Sequence, residues 1–520
     1  MTGMKFYLLL LSLFSSSFLF SQVRFSSDFE SGSMGEVKLI DSVWIKTSPM
    51  DSMLTLSYDV YSRLDPLNPI DTTLEPSSRW YYFRITGVKG KQLFINIRNS
   101  EVVRPFYSYD NTHFTRLDWS ENVNKGAINK IFTRDTVYIS YFIPYTCTHL
   151  STKLSDWSKN KFVKEEQIGK SQQGRDIWMM TITDWSVNDQ SKKKVWIHGR
   201  THPSETPSSW HLEFFVDKLL DGSKQSNAIL ANTIFYIVPF NNPDGVYGGF
   251  SRSTSTGVNI EINWDKPDSL TMPEVLVLKN KISELTKDGS FDLLLNMHSQ
   301  IANNITYWVH TAESTSDEMF RKQLLLSHLT INNNPYFCST DLSFSNLAPK
   351  YAEGWMWNKA GNNCVAITFE TPYTFYKNQG DDEWVSLENL KDLASNSLIA
   401  ISDFLEISSP TRVLADIKVK NNKKWKKIDD NSLIYFGNDC MTTDLKGLKV
   451  KANVNFLEPG LYNIFSWTPG ISSKSSVEGT NCWKEIGTVF VTQKGKYSWK
   501  GYSEQINGIA DKILFENIFL

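Results

Sequence analysis

The chain has 520 residues, 41% apolar and 13% aromatic, which is material for packed cores and excludes a disordered or low-complexity protein. At about 150 residues per domain, that length points to about three units. Lys and Arg total 54 against 56 Asp and Glu, so the formal net charge of −2 creates no field that would draw a polyanion, and nucleic acid is not an expected partner.

In chain order, the first element is an apolar run at residues 6–20, preceded by one lysine and followed by Ser21 and Gln22. It is shorter than the roughly 20 apolar residues of a spanning helix and reads as a secretory signal peptide over residues 1–22. The expected mature chain starts near Gln22 or Val23 and is secreted or periplasmic, with no membrane insertion after cleavage. Residues 23–150 carry short alternating runs, "SRWYYFRITGV", "KQLFINIRN" and "DTVYISYFI", separated by turn signals. That pattern predicts a β-sandwich without a long helix. Over 151–410 the pattern changes. Continuous apolar runs ("KKVWIHG", "NTIFYIVPF", "FDLLLNMHS", "CVAITFE") alternate with helical stretches ("SSWHLEFFVDKLLDG", "PEVLVLKNKISELTKDG", "LENLKDLASNSLIAISDFLE"). This predicts an α/β domain with a largely buried sheet. Residues 411–520 return to strands and turns and read as a small β-sandwich, whose aromatics suit either a glycan-contacting face or a plain core.

Five cysteines are too few for a disulfide scaffold. Cys440 and Cys482 are the candidates for a bridge in an oxidising compartment, while Cys147, Cys338 and Cys364 read as apolar fillers.

The chemistry gathers at predicted strand ends. His202 and Glu205 follow "KKVWIHG", His298 ends "FDLLLNMHS", and Glu370 closes "CVAITFE". Ligands of open α/β sheets sit outside the carboxyl ends of strands, so these four side chains can converge there. Two imidazoles and one carboxylate, with a fourth position for water, form the ligand set of a catalytic zinc site, and a neighbouring carboxylate can take a proton from the activated water. Each residue alone has a plainer reading: a chance His-x-x-Glu, a core histidine, a surface ion pair.

Together the stretches "VWIHGRTHPSET", "VPFNNPDGVYGGFSRSTSTGVNIEINWD", "FDLLLNMHSQ" and "CVAITFE" resemble the zinc metallocarboxypeptidases, and most of all the cytosolic carboxypeptidase branch. The N-terminal "FSSDFESGSMGEVKL", "SSRWYYFRITGV" and "FIPYTCTHL" resemble the sandwich that precedes the catalytic domain in that branch. The resemblance spans roughly residues 23–405. It implies a mixed sheet flanked by helices and one zinc per chain held by His202, Glu205 and His298. It further implies Glu370 as general base and then acid, Arg252 as the group that polarises the scissile carbonyl, and a peptide or amide substrate. The pattern also departs from the family. "GVNIEI" stands where the family reads "GVDLNR", which places Glu261 and Ile262 at the positions that grip a terminal carboxylate. Asn259 stands where an aspartate supports a zinc histidine. Glu261, Asn263 and Tyr351 are the candidates for substrate contact, with Tyr351 either facing the substrate or packing with Trp355 and Trp357. An ordinary carboxypeptidase pocket is therefore not expected. An amidase or esterase on non-peptide or glycan-linked acyl groups and a non-catalytic binding module are the alternatives.

Overall fold

Apolar runs that end at turns and are followed by amphipathic helices form parallel strands with helical crossovers. The computed structural model has this arrangement at its centre. It describes residues 22–101, 103–123, 127–332, 334–377, 383–420, 422–428, 433–437, 440–473, 476–478 and 482–519, so the signal-peptide reading lies outside the described residues.

The central sheet has eight strands in the order Val163–Lys170, Asp176–Ile182, Thr233–Val238, Lys193–Gly199, Leu293–Gln300, Val365–Pro372, Thr306–His310 and Ser343–Ser345. Its middle four strands run parallel and each flank joins them antiparallel, the outermost pair Thr306–His310 and Ser343–Ser345 being parallel to each other, which makes it a mixed sheet. Alternate residues go to opposite faces. Val195 and Ile197 join Val216, Leu390 and Leu393 of the helices Thr206–Leu219 and Leu387–Phe404 in one core. Trp196 and Leu294 join Val275, Leu278 and Met356 of the helices Pro273–Leu285 and Ala352–Ala360 in the other. Burial on both faces explains why these strands read as unbroken apolar runs.

Before this domain stand two five-stranded sheets. One includes Tyr82–Thr86 and Thr136–Ser140, the other Ser52–Tyr61 and Gln92–Arg98. Among the described residues five helices were not among the expected elements, and two of them are long. Cys147–Trp157 is capped by Thr146, whose side chain accepts from His149 N, and it buries Leu150, Leu154 and Trp157 at helical spacing. Asp317–Ile331 is buried on nearly every side, with Arg321, Gln323, Ser327 and His328 inside, so it has no amphipathic stripe to betray it.

After the central α/β domain, a six-stranded sheet runs in the order Trp483–Val491, Gly460–Trp467, Lys512–Asn517, Arg412–Val419, Lys449–Phe456, Gly495–Tyr502. Arg412 ties it to the preceding helix through Asp403 at 2.6 Å. Of the aromatics expected either as a binding face or as core, Trp467 and Trp483 are core, Trp467 packing edge-on against Phe436 and Trp483 at 5.1 Å with all three buried, whereas Phe490 is 69% exposed. The expected Cys440–Cys482 bridge is corrected, because all five cysteines are free. Cys440 packs in a small cluster with Ile428 and Tyr435, whereas Cys482 sits in the main core against His328 at 3.2 Å. Among the described residues no helix is long and apolar enough to cross a membrane.

One buried carboxyl in this last region makes stability depend on pH. Burial raises Asp511 to about 7, aided by Glu406 and Asp416 and opposed by the Phe436 N–H at 3.0 Å and by Lys512. A folded-state pKa above the unfolded value stabilises fully below the ordinary carboxyl range, and that contribution is lost as pH rises through about 7. The Tm of the C-terminal transition is expected to fall by several degrees between about pH 4 and about pH 7 and to level off above that, and Asp511→Asn should flatten this slope. An equal slope in the variant would place the titrating group elsewhere.

Candidate metal centre and active site

Three of the expected residues are brought together by the ends of two neighbouring parallel strands. The strand Lys193–Gly199 stops at a turn in which Arg200 takes a φ of 61°, and its buried guanidinium holds the Pro203 carbonyl at 2.9 Å and the Tyr145 carbonyl at 3.0 Å. That loop presents His202 and then Glu205, which sits at the N-cap position of the helix Thr206–Leu219. His298 reaches in from Leu293–Gln300, and Glu370 lies directly opposite it in the register with Val365–Pro372.

The donor atoms converge. His202 Nδ1 and His298 Nδ1 each lie 2.8 Å from a different oxygen of Glu205, and 3.1 Å from each other. Two nitrogens bound at about 2.0–2.1 Å to one tetrahedral zinc are about 3.4 Å apart, so this spacing needs little adjustment to admit the ion. The far nitrogens are already engaged: His202 Nε2 meets Asn259 Oδ1 at 3.2 Å and His298 Nε2 meets Glu261 Oε2 at 3.1 Å. Such partners fix the tautomer that leaves Nδ1 for a metal. All three candidate ligands are buried, and they are the one metal-competent cluster found among the described residues.

Burial and the charges around the cluster set the titration of its groups. Burial and then Arg252 lower the His202 imidazole to about 4. Burial also works against a charged His298, but the carboxylates of Glu261 and Glu205 outweigh it and raise its pKa well above the usual value. Glu205 is held well below the carboxylate range by the two histidines despite its burial. Glu370 is pushed up to about 7, first by burial and then by Glu205. Its Oε1 accepts from Trp308 Nε1 at 3.3 Å, and its Oε2 has no partner among the described residues.

Arg252 stands 4.0 Å from Glu205 Oε1 with its guanidinium 43% exposed, so it reaches the mouth of the site. Its position is set by the N-terminal region. Both oxygens of Asp65, which is 6% exposed, accept backbone N–H bonds from Ser251, Arg252 and Ser253 at 2.7, 2.7 and 2.9 Å. The two layers approach so closely that Gly249 and Gly257, with φ of 66° and 86°, leave no room for a Cβ against the Gly32 and Leu67 carbonyls. Arg79, from the same region, places Nη1 3.8 Å from Glu205 Oε1 and Nε 3.0 Å from Glu101. Asp65→Asn, which can no longer accept three N–H bonds, is expected to lower kcat/KM by about 10²-fold through misplacement of Arg252, with zinc content unchanged. Unaltered kcat/KM would show that this loop holds itself.

Asn259 Oδ1 lies 3.2 Å from His202 Nε2, Tyr351 lines the cleft, and Trp355 packs on Trp264 at 5.5 Å. Glu261 lines the cleft but spends its carboxylate on His298 and on Asn296 Nδ2 at 3.1 Å. The expectation of substrate contact at Asn263 is corrected: it is buried, and its Oδ1 accepts from Met272 N at 2.7 Å to close a turn. Asp65, Arg79, Trp308, His310 and Glu353 were not anticipated. None belongs to a chemical motif of its own; Arg79 stood in "SSRWYYF" and Glu353, on the helix Ala352–Ala360, beside Tyr351, both in stretches already singled out.

Comparison with known proteins agrees with this geometry. Residues 152–376 match the zinc carboxypeptidase family, and residues 25–142 match the cytosolic carboxypeptidase N-terminal domain. Cytosolic carboxypeptidase 6 of Mus musculus is 27% identical over 362 residues, covering 64% of this chain and 63% of that protein. The Homo sapiens protein of the same name is 26% identical, covering 64% of this chain and 67% of its own length. In fold, a metallo-carboxypeptidase from Burkholderia cenocepacia superposes with a TM-score of 0.60 at 20% identity, covering 74% of this chain and 99% of that one. One from Pseudomonas aeruginosa superposes with a TM-score of 0.58 at 18% identity, covering 74% and 99%.

Proposed function

Because the chain belongs to the zinc carboxypeptidase family, with the N-terminal domain of the cytosolic branch, we propose that it is an exported zinc-dependent hydrolase of amide bonds whose specificity has moved away from a C-terminal carboxylate. The observation that supports hydrolysis most is the convergence of His202, Glu205 and His298 with Glu370 opposite in the strand register. A bound zinc would supply Lewis acidity there, lowering the pKa of a coordinated water and polarising a carbonyl. The chain's own groups do the rest. Glu370, kept near neutrality by burial, is poised to take a proton from the attacking water and return it to the departing amine. The positive charge of the metal would draw the Glu370 pKa back down, favouring the base form. Arg252 at the mouth is placed to stabilise negative charge developing on the carbonyl oxygen.

The altered specificity rests on "GVNIEI". Ile262 cannot supply a charge-assisted pair to a terminal carboxylate, and the buried Glu261 carboxylate beside it would repel one. Peptides offered with free and with amidated C-termini are expected to be cut at similar rates. Cleavage confined to the free-acid set would place a carboxylate anchor elsewhere in the cleft and overturn this part. If neither set is cut while non-peptide amides or acyl esters are, the amidase or esterase reading takes over. Export rests on the apolar run at residues 6–20, and N-terminal sequencing of protein recovered outside the cytoplasm tests it.

A further inference from the structure

A cavity of about 260 Å³ opens beside the metal centre. It is smaller than the roughly 300–1,000 Å³ of sites for drug-sized ligands and suits one side chain. Glu261, Glu353 and Glu370 all lie on its wall, and Arg252 at the mouth is the one lysine or arginine among the described lining residues. Arg252 is directed at Glu205, and Glu261 is taken up by His298 and Asn296. Among the described residues Glu353 has no cationic partner. It is 2% exposed, the Thr368 hydroxyl donates to its Oε1 at 2.6 Å, and the neutral Asn296 side chain also hydrogen-bonds it. A carboxyl group withdrawn from water without a counter-charge is costly to keep unless something fills that role. Burial first, and then the charge of Glu261, raise its pKa.

A separate observation points into the same cavity. His310, at the end of Thr306–His310, is 6% exposed and lines it, and neither of its ring nitrogens has a hydrogen-bond partner among the described residues. Burial lowers it to about 4, so the ring is neutral and has one nitrogen free to accept. Trp308 and Tyr351 also line the cavity, and the Tyr351 ring already has the Lys350 ammonium 5.2 Å from its centre.

We propose that this cavity receives a cationic side chain of the substrate, an ammonium or guanidinium, with Glu353 as its counter-charge and His310 as a further acceptor. The same arrangement would reject an acidic side chain, because none of the described lining residues inside offers a free cation to meet it. This deepens the hydrolase reading by naming the substrate class, and it is tested by binding rather than turnover so that the two can fail separately.

The experiment is calorimetric titration of the zinc-loaded full chain with lysinamide, argininamide and norleucinamide; the last has an unbranched alkyl side chain without the charge. Lysinamide or argininamide is expected to bind at least about tenfold tighter than norleucinamide, and Glu353→Gln to bring that ratio close to one with zinc content unchanged. Equal or tighter binding of norleucinamide, absence of binding by all three, or a ratio that survives Glu353→Gln would overturn the proposal. If Glu353→Gln does not fold, the wild-type ratio decides alone. A strong preference with no hydrolysis of any peptide would leave the pocket standing and remove the hydrolase. Hydrolysis without the preference would do the reverse.

Discussion

Replacing Glu370 with glutamine is expected to lower kcat by about 10²- to 10⁴-fold while the protein retains its zinc, its Tm and its affinity for substrate. The side chain keeps its shape and can still accept from Trp308 Nε1, so the indole contact and the Val365–Pro372 strand are undisturbed. What is lost is proton transfer, since an amide neither takes a proton from water nor returns one to an amine. Raising Glu370 to about 7 matters for the same reason: a carboxyl at its ordinary value would be a weak base, and burial beside Glu205 corrects that. Steady-state kinetics on the best peptide substrate, with zinc measured on the same samples, checks this. A variant within a few-fold of wild type would remove Glu370 from the mechanism.

His298→Ala should have the second-largest effect, and on two quantities at once. It deletes one of three ligands, so zinc should fall below about 0.1 per chain after desalting, and activity with it. It also strips the shared partner from two buried carboxylates. Glu205 and Glu261 both hold His298, at 2.8 and 3.1 Å; without it Glu205 keeps His202 at 2.8 Å, Ser299 N and the distant guanidinia of Arg79 and Arg252, while Glu261 keeps Asn296. Removing one side of a buried pair costs about 3–5 kcal/mol, so the metal-free variant should unfold well below the metal-free wild type. Retained zinc would place the site elsewhere, and an unchanged Tm in the metal-free comparison would mean that the two carboxylates take up protons at little cost.

Arg252 and Glu261 show how differently two residues of one motif can be read. Arg252 was legible because it stands in "GFSR" after "NPDG", but what holds it was not. Asp65 lies 187 residues earlier in a stretch of no chemical character, and only the packing of the N-terminal region on the catalytic domain brings its carboxylate to three consecutive N–H groups. Glu261 was read as facing substrate because it stands where a carboxylate-gripping asparagine is expected. Its side chain instead turns back onto a ligand histidine, so one of the two histidines is backed by a carboxylate and the other by the amide of Asn259. Asn263 was misjudged for a similar reason: proximity in sequence to a motif does not say which way a side chain in a 3-10 turn points.

The sequence by itself determined the α/β domain, its buried parallel strands, the β-rich regions on either side and the convergence of His202, Glu205, His298 and Glu370 at strand ends. Those features are local: apolar periodicity sets strand and helix, and a residue following an apolar run must lie at the strand's carboxyl end. Only the tertiary structure decided the buried Asp317–Ile331 helix, the Asp65 clamp on Arg252, the unpaired cysteines and the cavity where Glu353 meets His310. In each of these the deciding quantity is burial or a contact across a long stretch of chain. A residue's desolvation and its partners are properties of what packs against it, and no window of neighbouring residues contains them.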